Sequence, residues 1–189
     1  MKHKFTLSLA ALSLSAFSTL ASAGSITCGS TQRTATLDSA EVCEIGTGNT
    51  QNSDIDTHFG GTWTQQGSLT SNGSNGYLST NLTSGSWGSS PIAGTWGIDS
   101  SFWSTFDDAV ISIHVGNGGG DPDHFAWSIT DLATDGTWAY EILSGSGGGL
   151  SNMKLWGRGV AQPVPVPSTF ALFGLGLLGL AAARKKLSA

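Results

Sequence analysis

Apolar and polar positions alternate with a period of two along most of the chain between Gly24 and Gln162. Ala109, Ile111, Ile113 and Val115 alternate with Val110, Ser112 and His114, and Phe125, Trp127 and Ile129 alternate with Ala126 and Ser128. Trp138, Tyr140 and Ile142 repeat the pattern, and Met153 and Leu155 close it. A period of two puts every second side chain on one face of an extended chain, so each run predicts a half-buried strand. Stretches such as Gly116 to Asp121 and Gly145 to Gly149 separate the runs with turn-forming residues. Earlier strands are expected over Gly61 to Gln66, Tyr77 to Thr83 and Gly94 to Ile98. Only Asp38 to Val42 reads as helical, a single turn in which Asp38 and Glu41 have the spacing of a capping box. Together these elements predict an all-β fold, an antiparallel β-sandwich that is jelly-roll-like or immunoglobulin-like in outline.

The two ends break this pattern. Lys2, His3 and Lys4 precede an apolar stretch from Phe5 to Leu20, and Ala21-Ser22-Ala23 offers the small residues that signal peptidase needs before Gly24. Residues 1–23 are therefore expected to be a cleaved signal peptide, with Ala21, Ala23 and Gly24 forming the cleavage site. Residues 24–162 are expected to form one all-β ectodomain. Residues 163–189 carry a different program. Pro165-Val166-Pro167-Ser168 leads into a short apolar segment, Thr169 to Ala183, which ends on Arg184, Lys185 and Lys186. As a helix that segment would span about 22 Å against a hydrocarbon core of about 30 Å. It suits transient insertion into an inner membrane, with the basic residues held on the cytoplasmic side.

This order of proline element, short apolar helix and basic cluster resembles the PEP-CTERM sorting signal. The resemblance implies export from a Gram-negative bacterium, recognition by an exosortase in the inner membrane, and release to the cell surface or an exopolysaccharide matrix. Val166 stands where that family commonly has Glu. The ectodomain also resembles a recurrent type found in exosortase substrates, through Val42-Cys43, Gly48-Asn49, Phe59 to Trp63, Ser101 to Asp108, Ile111 to Asn117 and Gly149 to Asn152. In that pattern a lysine often stands at the position of His114 and a histidine at that of Asn152. The resemblance implies an export route and an all-β fold, and it implies no reaction.

Charge narrows the partners. All thirteen acidic residues lie between Gly24 and Gln162, against Arg33, Lys154 and Arg158, so this part carries a net charge of 3 − 13 = −10 with histidines neutral. Nucleic acid is excluded as a partner, because binding to polyanions needs clustered Lys and Arg. Cations or neutral glycans fit better. Cys28 and Cys43 are the two cysteines, and in an oxidising compartment they read as one disulfide.

Catalytic motifs are absent. There is no GxSxG, P-loop or HExxH, and the run Gly116, Gly118, Gly120 meets Asp123 where a dinucleotide motif needs its last glycine. His58, His114 and His124 have no recognisable metal or triad spacing. Asn117, Asp121 and Asp123 form an oxygen-rich turn and are candidate calcium ligands; Asp54-Ile55-Asp56, near Asn49 and Asn52, is a weaker candidate. The seven tryptophans offer faces for stacking on sugars. Trp127 and Trp138 fall in phase with the apolar set and belong to the core. Trp87, flanked by Gly and Ser, and Trp156, out of step with Met153 and Leu155, are expected to be exposed and to contact a glycan. The leading expectation is an exported surface or matrix-associated protein, structural and exopolysaccharide-associated, without catalytic turnover and with signal peptidase and exosortase as partners during export. The alternatives are a lectin-like carbohydrate-binding module, calcium-assisted in one version, and a secreted hydrolase.

Overall fold

Alternation becomes layering in the computed structural model, which describes residues 24–116 and 120–159. The strands are β1 (Ser25–Gly29), β2 (Arg33–Asp38), β3 (Ala40–Gly46), β4 (Thr64–Leu69), β5 (Gly73–Asn75) and β6 (Leu78–Ser84). They continue with β7 (Ile92–Ile98), β8 (Asp108–Val115), β9 (His124–Ile129), β10 (Asp135–Ile142) and β11 (Leu150–Arg158). One helix, α1 (Asn52–Phe59), and one 3-10 segment (Ser100–Ser104) complete the described elements. A six-stranded sheet, in the order β1-β2-β10-β7-β6-β5, packs on a five-stranded sheet, in the order β3-β9-β8-β11-β4. All pairings are antiparallel. The expected all-β antiparallel sandwich is therefore observed for these residues.

The in-phase residues meet between the sheets. Leu37, Trp96, Trp138 and Tyr140 from one sheet face Ile111, Ile113, Phe125, Trp127, Met153 and Leu155 from the other, all buried. Phe125 and Trp127 stack with centroids 6.0 Å apart, and the Trp127 indole donates to the Ile26 carbonyl, so its polar atom is satisfied. Cys28 and Cys43 are joined, with Cα atoms 6.2 Å apart. The bond ties edge strand β1 of one sheet to edge strand β3 of the other.

Two local expectations are corrected. Asp38 to Val42 is the junction of β2 and β3, with Ser39 turning the chain at φ 58°. The Asp38 carboxylate accepts from the backbone N–H and hydroxyl of Thr137 on β10, so cross-strand bonding takes the oxygen that a helix cap would have used. The helix forms instead at α1, where a capping box joins Gln51 and Asp54. It stops at Gly60, whose φ of 68° leaves the helical region. Because Gly61 is also left-handed, at φ 79°, β4 starts at Thr64 and not at Gly61. Among the described residues no helix is long and apolar enough to cross a membrane. The signal peptide and the C-terminal apolar helix lie outside them.

Candidate functional site

The outer faces of the two sheets have opposite fates, and the cause is one connection. β3 and β4 are the two edges of the five-stranded sheet, so the chain between them must cross its outer face. That crossing carries α1. Ile55 and Phe59 from the helix, followed by Trp63, pack on Val110, Ala126 and Trp156 as a second buried cluster.

Trp156 is therefore 1 % exposed, which corrects the expectation that it faces solvent. Alternation does place it opposite Met153 and Leu155, but the crossover covers that opposite side. Its indole N–H donates to Ser112 Oγ at 2.9 Å. Asp56, named with Asp54 as a weaker calcium candidate, accepts from the Trp63 backbone N–H at 2.7 Å, and Asp54 caps α1. Trp87 is half-buried against the main core, and its indole donates to Asn72 Oδ1 at 3.0 Å. Of the seven tryptophans only Trp87 and Trp103 are even partly accessible, so stacking on an exposed indole has little surface to use.

The same cover buries a polar group. His114 and His124 lie opposite each other on β8 and β9, 9 % and 2 % exposed. His124 Nδ1 meets the Gly48 carbonyl at 3.1 Å and so carries the proton. Ser151 donates its hydroxyl to the His114 carbonyl and is left as acceptor for His114 Nδ1. Both Nε2 atoms are bare lone pairs, buried and without a partner among the described residues. They do not converge. His124 leans over β3, where a Cβ on Gly46 would come within 2.6 Å of its Nε2, and His114 is tied towards β11. His58 is 6.2 Å from His124 between ring centroids and 3.6 Å from Glu44. Among the described residues no group of three or more His, Cys, Asp or Glu is placed to hold a metal. Lys154 donates to the Thr50 carbonyl at 2.6 Å and to Asn49 Oδ1 at 3.2 Å, and burial pushes its ammonium below the ordinary lysine value.

Burial also pushes both imidazoles below the ordinary histidine value of 6.5, against the opposing pull of Asp123 on both and of Asp54 on His124. His58, Lys154 and Arg33 add like charge around them. The unfolded chain then binds protons below about pH 6.5 that the folded chain refuses, so stability present at pH 7 is lost as pH falls towards the depressed folded values. Thermal melting of the secreted protein should drop between pH 7 and pH 5, and His124→Asn should flatten that drop. An unchanged slope in the variant would show that this histidine is not the sensor. Asp38, held below the ordinary carboxylate value chiefly by the Thr137 hydroxyl, loses its contribution only in stronger acid, as pH falls below 3.8.

The Asp121-Pro122-Asp123 turn is bound up within the protein. Asp123 pairs with Arg33 at 3.1 Å through one oxygen and accepts from the Gly48 N–H at 2.8 Å through the other. Arg33 is 1 % exposed and also donates to the Pro122 carbonyl at 2.9 Å. The Asp121 carbonyl accepts from Ser30, and its N–H donates to Gln32. Asn117 lies outside the described residues.

The outer face of the six-stranded sheet stays open. It presents Thr34, Thr36 and Asp38 from β2, Asp135, Thr137 and Glu141 from β10, Thr95 and Gly97 from β7, and Ser79 and Asn81 from β6, all accessible. Thr137 lies opposite Thr95 and Thr95 opposite Asn81, while Asp38 bonds Thr137 from the other side. The four form one polar rank across four strands, about 14 Å at the usual interstrand spacing. A groove of about 650 Å³ lies along the rank. Sequence reading missed it, because it sought aromatic residues and assigned Asp38 to a helix. The signal was present in the period-two polar side chains of Thr34, Thr36 and Asp38, which alternate with Ala35 and Leu37.

Comparison with known proteins bears on the C-terminal segment. Residues 163–186 match the PEP-CTERM protein-sorting motif. The chain thus carries the sorting signal of an exported protein, consistent with an exosortase substrate, and the match includes Pro165, Val166, Pro167, Ser168, Arg184, Lys185 and Lys186. Those residues, like Ala21 and Ala23, lie outside the described part of the structure, whereas Gly24 opens it. No curated protein and no solved structure matches the chain.

Proposed function

We propose that this chain is a cell-surface or extracellular-matrix protein, processed by signal peptidase and an exosortase and associated with exopolysaccharide without catalytic turnover. The observation that carries the reading is the sorting motif over residues 163–186. A disulfide-tied sandwich, with one sheet face covered and the other open and polar, supports it. Such a body is fixed against extracellular conditions and still offers hydroxyl and carboxylate groups to a hydrated polymer. The bare histidine nitrogens, closed beneath the crossover, give a substrate no approach.

Processing provides the test. The secreted protein should begin at Gly24 and lack Phe170 to Ala189 by intact mass, and deletion of residues 163–189 should remove it from the surface fraction. A full-length tail in protein held at the inner membrane would overturn the reading, with Val166 the first position to exchange for Glu. A carbohydrate-binding role is the second reading. The groove along Asp38, Thr137, Thr95 and Asn81 favours it, replacing Trp156 as its support.

A further inference from the structure

We propose that the open face of the six-stranded sheet is a binding groove for an amine-bearing polysaccharide, such as a partly N-deacetylated amino-sugar polymer. The inference rests on the reading that the protein is glycan-associated, and it adds the face, the residues and the charge of the glycan.

Shape argues for a polymer. The 650 Å³ groove shares Ser79 and Gly97 with a second depression of about 310 Å³ that runs past Tyr77, Asp99 and Thr134. A third, of about 190 Å³, opens beside Thr36, Ala93 and Ala139 on the same sheet. A shallow track across several strands suits an extended chain lying on the surface, whereas small molecules favour concave, mostly apolar pockets. The interstrand spacing of about 4.8 Å is close to the repeat of an extended β-linked pyranose chain, so successive sugars could meet successive strands. The floor is kept low by small residues: a Cβ on Gly97, which lines both depressions, would come within 2.6 Å of the Ser79 hydroxyl oxygen.

Charge selects the class of glycan. Asp38, Asp135 and Glu141 lie on this face and Asp99 lines the adjoining depression. Among the described residues no cation offsets them. Arg33 is buried in its pair with Asp123, and Lys154 and Arg158 belong to the other sheet. Hydroxyls and an amide from Thr95, Thr137, Ser79 and Asn81 suit sugar hydroxyls, and the carboxylates suit ammonium groups at intervals along the chain. A polyuronate would meet like charge along the whole track, which costs affinity at every repeat.

The secreted protein should bind partly deacetylated chitosan, weaken with added salt, bind fully acetylated chitin oligosaccharides at least about tenfold less tightly, and ignore alginate. Asp38→Asn with Asp135→Asn should weaken chitosan binding about tenfold or more, and so should Thr95→Lys, which places a cation at an exposed position without touching Asp38. Glu41→Gln with Asp121→Asn, equal in charge change but away from the face, should leave it unaltered. Melting temperatures of all variants identify any loss caused by unfolding, and Thr95→Lys keeps the test valid if the double variant is unstable. Equal binding by the face variants and the distant variant would overturn the inference while leaving glycan association standing. Preference for alginate or for the acetylated oligosaccharide would overturn the charge assignment. Binding to none of these, nor to the exopolysaccharide of the producing cell, would overturn the parent reading as well. A dimer dissolved by Thr95→Lys would assign the face to a second copy instead.

Discussion

Trp156→Ala is expected to lower unfolding free energy by about 3–5 kcal/mol, close to the loss expected for Trp127→Ala at the centre of the sandwich. The reason is that Trp156 is 1 % exposed although it lies on the outside of its sheet. Its ring meets Ile55, Trp63, Val110 and Ala126, so removal leaves a cavity beneath α1 and strands the Ser112 hydroxyl. The crossover would also loosen its hold on His114 and His124, and the acid sensitivity between pH 7 and pH 5 should shrink with it. Trp87→Ala, by contrast, removes a half-buried ring with one bond to Asn72 and should cost clearly less. Urea unfolding of the three variants, read by far-UV circular dichroism, decides the order. A loss below about 1 kcal/mol for Trp156→Ala would mean that α1 contributes no packing to the outer face.

Cys43→Ser is expected to destabilise the protein by about 2–4 kcal/mol. The bond closes a sixteen-residue loop, counted from Cys28 through Cys43, for which chain entropy alone accounts for about 3 kcal/mol. Its position adds to this expectation. At one edge of the sandwich the sheets are joined by this bond and by the Ala40 N–H donating to the Gly24 carbonyl. At the other edge they are drawn together by backbone contact, including the Tyr77 N–H to the Gln66 carbonyl. Losing the bond should therefore free β1 before the rest. Free-thiol labelling of the unreduced, denatured protein should be negligible, and hydrogen exchange in the Cys43→Ser variant should rise first over Ser25–Gly29. Full labelling of both cysteines in surface-isolated protein would remove the basis for the prediction.

The PEP-CTERM match at residues 163–186 and the sequence reading of that segment agree because a sorting signal is read along the chain, from a local order of proline, apolar and basic residues. The strands β8 to β11 were legible for a related reason. Ala109 to Val115 and Phe125 to Ile129 must put one apolar face inward whichever strands they pair with. The pairing of Cys28 with Cys43 followed from their number alone.

Other features depended on contacts between residues far apart. Asp38 and Glu41 satisfy the spacing of a helix cap, yet Asp38 is claimed by Thr137, 99 residues away, and extended pairing prevails. Trp156 obeys alternation, but alternation only says which face a residue occupies. Whether that face is wet depends on the route from β3 to β4, which follows from their placement at opposite edges of one sheet. The same route left the other sheet uncovered, so polar side chains scattered over four strands from Asp38 to Thr137 became one rank. Local periodicity decided what each strand would bury between the sheets. The order of strands, set by long-range pairing, decided which outer face is closed over histidines and tryptophan and which remains open to solvent.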